Sequence, residues 1–320
     1  MNVALVTCSA MPDPDEDQER LCSALEKAGA RARWIAWDDP GTEWGTDGGT
    51  DPTKGPVAAD DMAAYDIVVL RSTWNYHLHL PAFQAWVERV AEVTQLWNPP
   101  DVIATNAHKG YLLELEQQGV PIVPTALVRR GPAPSLEALC ASRGWDAIVV
   151  KPAVSGGSFA TRRFSSATTA EAQAFFVELT AQRDVLVQPL LASFVDPGER
   201  CLVWIDGAFT HAIHKEPRYS GDAESVHLVE PRPDELALAE RLVEPYAERL
   251  LYARVDLVLD RVDGLQEDRP ESPGADDAPA RRPLLCELEL IEPSLFLRHS
   301  QSALERLVAG ILRRARDHAS

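Results

Sequence analysis

Three carboxylates on two apolar segments carry the strongest chemical signal in the chain. They are Asp256 in Arg254-Val255-Asp256, and Glu287 and Glu289 in Cys286-Glu287-Leu288-Glu289-Leu290. Side chains alternate faces along a strand, so Glu287 and Glu289 are expected on one face and Cys286, Leu288 and Leu290 on the other, in a core. Neighbouring carboxylates repel one another, and a hard cation between them relieves the repulsion. Mg2+ favours carboxylate oxygens combined with substrate phosphates over an all-protein cage. An edge strand with solvated acids is the plain alternative, but a run such as Leu284-Leu285-Cys286-Glu287-Leu288-Glu289-Leu290-Ile291 is too apolar for an exposed edge. The acids therefore read as a nucleotide-metal site, provided that phosphate ligands occur elsewhere.

Such ligands lie upstream. Ala147 to Pro152 reads as a short buried strand that carries Lys151 near its end, and Ser155-Gly156-Gly157-Ser158 follows. Small residues let backbone N–H groups approach an anion closely, and Lys151 would stand at the base of that loop. Lys109 opens a helical pattern with Leu112 and Leu115 in register and Gly119 as its stop.

The order of these pieces resembles the ATP-grasp superfamily, from about Asn106 to the C-terminus. The resemblance implies that Gln188, Pro189 and Leu190 form the hinge whose backbone holds adenine, and that Glu199 takes the ribose hydroxyls. It implies that Lys109 and Lys151 hold the nucleotide phosphates and that Ser155, Gly156, Gly157 and Ser158 close over them. Arg254-Val255-Asp256 is similar to the Arg-x-Asp of the D-alanine ligase and glutathione synthetase branch, where the arginine faces the transferring phosphoryl group. Glu287-Leu288-Glu289 resembles that branch's Glu-x-Asn, with Glu289 in place of asparagine and one more negative charge at the metal. Arg71-Ser72-Thr73-Trp74-Asn75-Tyr76, Gly198-Glu199-Arg200 and Glu287 to Phe296 look most like a bacterial subgroup that includes the ATP-grasp enzyme of cycloserine biosynthesis, which closes a ring from O-ureidoserine.

Composition narrows the remaining classes. Lys+Arg 31 against Asp+Glu 49 gives a formal charge of -18, with no clustered basic run, which argues against nucleic acid as a partner. The first apolar run, Val3 to Val6, is too short for a signal peptide, and no stretch approaches a membrane span, so a cytoplasmic protein without a membrane partner is expected. Cys8, Cys22, Cys140, Cys201 and Cys286 have neither a zinc spacing nor a disulfide framework, and buried reduced thiols are expected.

The elements that must position these residues read as an α/β chain: an ATP-grasp fold with an open parallel N-terminal domain, a small central lid and a C-terminal catalytic lobe. The corresponding domains are 1–104, 105–188 and 189–320. Val3 to Val6, a helix over Glu16 to Ala28 and Ala32 to Trp37 make a strand-helix-strand unit that favours parallel pairing. Ile67 to Leu70 adds a strand, and Pro81 to Val93 a helix. Asp38 to Asp61 is a long polar loop. Ligands of open α/β sheets bind beyond the carboxyl ends of the strands, which makes Arg71, Trp74 and Tyr76 substrate candidates. Asp206-Gly207 is a strong hairpin signal between Leu202–Ile205 and Phe209–Ile213. Arg200 and Lys215 are expected to meet at the open end of that hairpin. Residues 263–283, acidic and rich in proline, read as a disordered insertion between the two acid-bearing strands.

These residues fit an ATP- and Mg2+-dependent carbon-nitrogen ligase, with Mn2+ as the alternative ion, in which a substrate carboxylate or carbonyl oxygen attacks the γ-phosphate and an amine then displaces phosphate. Asp256, Glu287 and Glu289 would hold the metal, and Arg254, Arg200 and Lys215 would neutralise developing charge. A small-molecule kinase and a non-catalytic nucleotide-binding protein use the same architecture and stay open at this stage. The expected substrate is amino-acid-like, and homodimers are common in the family that the chain resembles.

Overall fold

The computed structural model describes residues 1–9, 15–39, 59–194, 198–216, 225–261 and 281–318. The run Val3-Ala4-Leu5-Val6 is buried along its whole length because both faces of its sheet are covered. β1 (Asn2–Thr7) pairs in parallel with β2 (Arg31–Ala36) and β3 (Ile67–Ser72), and β4 (Leu96–Trp97) adds to β3. Helix α1 (Gln18–Lys27) connects the first two strands and α2 (Leu80–Val93) the last two. Val3, Leu5, Ile67 and Val69 pack on Leu21 and Leu25 of α1, whereas Ala4, Val6, Val68 and Leu70 pack on Phe83, Trp86 and Val87 of α2. The parallel unit thus forms as its alternation predicts.

After α3 (Pro100–Asn106) and α4 (Tyr111–Gln117) comes a four-stranded antiparallel sheet of β5 (Ala126–Val128), β6 (Ile148–Pro152), β7 (Arg162–Phe164) and β8 (Val185–Pro189), ordered β5-β8-β6-β7. Ile148, Val150, Val185 and Val187 pack against Leu136 of α5 (Leu136–Ala141) and Phe176 and Leu179 of α6 (Ala170–Gln182). Both helices begin at a hydroxyl cap: Ser135 accepts from the Ala138 N–H and Thr169 from the Ala172 N–H, each at 3.1 Å.

The third sheet is antiparallel and five-stranded. It contains β9 (Glu199–Ile205), β10 (Ala208–Lys215), β11 (Val226–Val229), β12 (Tyr252–Arg261) and β13 (Arg281–Glu289), in the order β11-β10-β9-β12-β13. Helix α7 (Pro233–Val243) covers its back with Leu238 and Leu242. The three sheets lie within residues 2–97, 126–189 and 199–289. The C-terminal helix α8 (Gln301–His318) returns to the first of them, where Leu304, Leu307 and Ile311 join the core formed with α1. No helix among the described residues is long and apolar enough to cross a membrane, and none of the five cysteines is in a disulfide.

Two register shifts correct the expected side-chain directions. Asp206 and Gly207 have φ of 52° and 74°, as a type I′ turn requires, but the register slips between Phe209 and His211. Arg200 consequently lies opposite His214 and Lys215 opposite Glu199, so Arg200 and Lys215 occupy opposite faces and do not meet. A second shift follows Asp256, which pairs with Glu287, while Leu257 pairs with Leu285. Cys286 is left between these pairs and packs with Val123, Val258 and Leu284, not with Leu288 and Leu290 in the core behind the sheet.

Arg281 to Pro283, expected within the insertion, belong to β13, and residues 262–280 lie outside the described residues, as do 40–58 of the polar loop. Arg261 is paired directly with Arg281, so the ends of the insertion are already adjacent. Deletion of 264–280, closed by a short Gly/Ser turn, is expected to preserve the fold and the stabilisation conferred by ATP with Mg2+, because loop closure varies slowly with length. Thermal melts with and without nucleotide check this, and loss of folding would show that the segment contributes packing.

Candidate active site

The front face of the five-stranded sheet gathers the acids. Asp256 lies between Cys201 of β9 and Glu287 of β13, and Arg254 lies opposite Glu289. The buried Arg254 guanidinium binds Asp256 through two bonds, Nε to Oδ1 and Nη2 to Oδ2, both 2.8 Å, and donates through Nη2 to Glu289 Oε1 at 2.6 Å. Its Nη1 reaches the Ser294 carbonyl at 3.1 Å.

Two lysines converge on the remaining acid. Lys151 Nζ from the lid is 2.8 Å from Glu287 Oε1, and Lys109 Nζ is 3.6 Å from Oε2. Lys109 also donates to the Ser155 carbonyl at 2.8 Å, and its own N–H bonds the Ala153 carbonyl at 2.8 Å, which fixes it beneath the glycine loop. Gly156 lies against the N-terminal domain, where an added Cβ would come within 3.1 Å of the Trp74 carbonyl and 3.5 Å of His77 Nδ1. Gly157 and Ser158 have φ of +54° and 61°. Phe159 packs on the His77 ring at 4.7 Å, so the loop is closed over the site.

The electrostatics follow from burial. Desolvation alone would raise the pKa of Glu287, but Lys109 and Lys151 overcome it and hold the group at about 2. Burial raises Glu289 to about 8 against the pull of Arg254, with Asp256, Glu287 and Glu292 adding repulsion. Burial also lifts Glu292 to about 7. Burial pushes Cys201 and Cys286 up, so both are thiols in the metal-free protein. An all-oxygen set of carboxylates crowded enough to retain protons fits Mg2+, which would replace those protons.

The other expected nucleotide residues lie around this centre. Lys215 is 3.5 Å from Glu199 on the front face. Gln188 turns its side chain inward, Nε2 donating to Thr125 Oγ1 at 2.8 Å, so only its backbone is offered at the hinge. Pro189 has no N–H, and the Leu190 N–H is donated to the Ala147 carbonyl at 2.8 Å. Of their main-chain groups, Pro189 and Leu190 therefore have only carbonyls to present to a ligand.

Arg200 is on the other face. Its Nε is 2.5 Å from Glu235 Oε1, a carboxylate with no solvent exposure, and its Nη2 donates to the Glu230 carbonyl at 2.7 Å. Its expected catalytic role is corrected to a structural one: alternation along β9 turns the side chain, with Leu202 and Trp204, toward α7, where Glu235 also caps the helix by accepting the Arg232 N–H. Arg200→Met is expected to destabilise the fold by about 3–5 kcal/mol, because it leaves a buried carboxylate unpaired. Urea melts measure this loss, and KM for ATP in the folded enzyme should stay within about twofold of wild type, well under the tenfold that 1.4 kcal/mol would bring.

On the substrate side, Arg71 is fully buried. Its Nη2 donates to the Pro293 carbonyl at 3.3 Å and stands 3.6 Å from Asp15 Oδ2, while Nε and Nη1 have no hydrogen-bond partner among the described residues, nor does Thr73 Oγ1. Trp74 Nε1 donates to the Glu292 carbonyl at 3.1 Å and fastens this segment to the acidic strand. Tyr76 is corrected from a substrate residue to a core residue, since its ring stacks on Phe83 at 5.1 Å within the cluster that holds Trp37 and Trp86.

Sequence reasoning missed the residues that hold β13 in place. Asn106 brackets the strand, donating to the Leu288 carbonyl at 2.8 Å and accepting the Leu290 N–H at 3.0 Å. The Tyr111 hydroxyl donates to the Leu288 carbonyl and accepts its N–H, and Asn98 joins Tyr252, Leu251 and Leu290. The one available signal was the closeness of Asn106 and Tyr111 to Lys109. Glu292 was also missed as a site acid.

Comparison with known proteins agrees with this geometry. Residues 3–48 and 57–98 match a family model described as the N-terminal domain of D-cycloserine synthetase DcsG. The cycloserine biosynthesis protein DcsG of Streptomyces lavendulae is 29% identical over 330 aligned positions, covering 98% of both chains. The crystal structure of D-cycloserine synthetase DcsG superposes with a TM-score of 0.75 at 28% identity, over 98% of this chain and 100% of that one. The ATP-grasp ligase PsnB, solved with its minimal precursor, Mg and ADP, gives a TM-score of 0.56 at 16% identity over 98% of each chain. D-alanine–D-alanine ligase from Bacillus anthracis complexed with ATP gives 0.63 at 13% identity, over 100% of this chain and 99% of that one. The full-length likeness, together with two lysines, an Arg-x-Asp and an acidic strand meeting at one face, means that the chain has the fold of the ATP-grasp superfamily.

Proposed function

We propose that this protein, an ATP-dependent ligase of that superfamily, activates the carboxylate or a carbonyl oxygen of a small amino-acid-like substrate as its phosphate and joins it to nitrogen, by ring closure as in its cycloserine-forming relative. The observation that carries the reading is the convergence of Lys109 and Lys151 from two other segments on Glu287, beside Asp256, Arg254 and Glu289. Cations from separate elements held against one carboxylate suit a site whose second anion is a polyphosphate.

Phosphate oxygens would take Lys109 and Lys151 from Glu287 and leave that carboxylate, with Asp256 and Glu289, to hold Mg2+. A bound Mg2+ would neutralise charge on the β- and γ-phosphates as the phosphoryl group transfers. Arg254, anchored by Asp256, faces the group in transfer, and Lys215 adds positive charge from the β10 side. The closed loop Ser155 to Ser158 excludes water that would hydrolyse an acyl phosphate. Gln188, Pro189, Leu190 and Glu199 would hold the adenosine. Nε and Nη1 of Arg71, without a hydrogen-bond partner among the described residues, would supply charged donors for an anionic substrate group, with Trp74 forming the adjoining wall; buried charged donors without partners are costly unless a ligand takes them.

Product analysis with candidate amino-acid substrates tests the reading. Inorganic phosphate released in step with a new C–N bond is expected. A stable phosphorylated product would make the protein a kinase.

A further inference from the structure

A second group of metal-ligating side chains lies on the back of the five-stranded sheet. His214 of β10 stands directly opposite His227 of the edge strand β11, and alternation puts both on the face of Arg200, away from Glu287. Nδ1 of His214 is 3.1 Å from Nε2 of His227, and the rings meet at 69° with centroids 4.7 Å apart, so ring nitrogens, not ring faces, converge. Glu216 follows the end of β10, and one donor atom from each of the three residues lies within 4.8 Å of the others.

The backbone favours this arrangement. Gly198 has φ of +94°, and a Cβ there would lie 3.0 Å from His214 Nε2 and 2.9 Å from the Lys215 carbonyl. Only glycine lets the chain pass behind the ring, which holds Nε2 against the backbone and leaves Nδ1 turned to His227. Arg200, the cation nearest in register, is neutralised by Glu235. Two imidazole nitrogens this close share either one proton or one cation. Around a tetrahedral Zn2+ with bonds of about 2.0–2.1 Å they would stand roughly 3.3 Å apart, within a few tenths of an ångström of the observed spacing.

We propose that His214, His227 and Glu216 bind a borderline divalent transition ion of the Zn2+ type, at a site separate from that of Asp256, Glu287 and Glu289. Imidazole nitrogens suit Zn2+, Co2+ and Ni2+ and not Mg2+, so the ion that serves ATP does not compete. The ion would tie β11 to β10, and its effect is on stability, not turnover. The proposal is independent of the ligase reading.

Titration of the chelator-treated full chain with Co2+, followed by its visible ligand-field absorption and displaced by Zn2+, tests the site. One equivalent bound in wild type is expected, with affinity at least tenfold lower in His227→Gln and in Glu216→Gln. Glu287→Gln should bind this equivalent as wild type does, and His227→Gln should retain wild-type ATP turnover with Mg2+. Zn2+ should raise the melting temperature of wild type but not of His227→Gln. Wild-type Co2+ affinity in both His227→Gln and Glu216→Gln, loss of the equivalent in Glu287→Gln, or no binding by wild type would overturn the proposal, the last showing that the pair shares only a proton.

Discussion

Glu287→Gln is expected to lower kcat by two or more orders of magnitude and also to destabilise the nucleotide-free protein. The kinetic loss follows from the carboxylate's proposed place in the metal set, since metal stabilisation of a transferring phosphoryl group is worth roughly several kcal/mol and each ~1.4 kcal/mol is about tenfold in rate. The stability loss outweighs the relief of carboxylate repulsion that an isosteric amide would bring. In the free protein Glu287 is the counter-ion of Lys151 at 2.8 Å and Lys109 at 3.6 Å, and both lysines are largely withdrawn from water. Burial alone would lower the pKa of Lys151, but Glu287 outweighs it and the pKa is raised. The linkage has a definite sign. Glu287 is depressed to about 2 from its ordinary 4.5, so it contributes stability that is complete above about pH 4.5 and is lost as pH falls toward 2. Urea melts across that acid range should show this contribution in wild type and not in Glu287→Gln. Wild-type turnover and an unchanged acid limb in the variant would remove Glu287 from the site.

The second large effect concerns Glu289, where the relatives of the D-alanine ligase branch carry asparagine. Its pKa of about 8, raised by burial and by neighbouring acids, means that an incoming ion must displace a proton at neutral pH. Mg2+ affinity in wild type should therefore tighten by up to about tenfold per pH unit below pH 8 and level off above it. In Glu289→Asn that proton is absent. The Mg2+ dependence should lose one proton's slope, turnover should stay measurable, and the Mg2+ to Mn2+ preference should shift. Stability follows the opposite sense to Glu287: a folded pKa above 4.5 gives stability that is full below about pH 4.5 and lost as pH rises through 8, and Glu289→Asn should abolish this loss. KM for Mg2+ measured from pH 6.5 to 8.5, about one and a half units below to half a unit above that pKa, separates the two proteins. Identical profiles would place Glu289 outside the metal set.

What could be read from the chain were features set by local rules. Val3 to Val6, Ile67 to Leu70 and Ala147 to Pro152 announce buried strands, and Asp206-Gly207 announces its turn, because each needs only neighbours in sequence. What failed were predictions that assumed unbroken alternation. One extra residue near Thr210 and one at Cys286 reversed the expected faces of Lys215, relative to Arg200, and of Cys286, and bulges leave no mark in an apolar pattern. Helix α8 has a legible apolar stripe in Leu304, Leu307, Val308 and Ile311, but its docking on α1 joins the two ends of the chain. Asn98, Asn106 and Tyr111 were invisible for the same reason: they satisfy backbone groups of a strand about 180 residues away, and no local property of an asparagine or a tyrosine records that distance.

The central claim, that Lys109, Lys151 and the acidic strand form one Mg-nucleotide site, is tested most directly by the melting temperature of wild type and Lys151→Ala, each with and without ATP and Mg2+. A ligand that binds only the folded state stabilises it by about 2.7 kcal/mol at a hundred times Kd, so a rise of several degrees is expected in wild type at millimolar nucleotide. Lys151→Ala, lacking the ammonium that now holds Glu287, should lose most of that rise. No response in wild type, or an undiminished response in Lys151→Ala, would contradict the account.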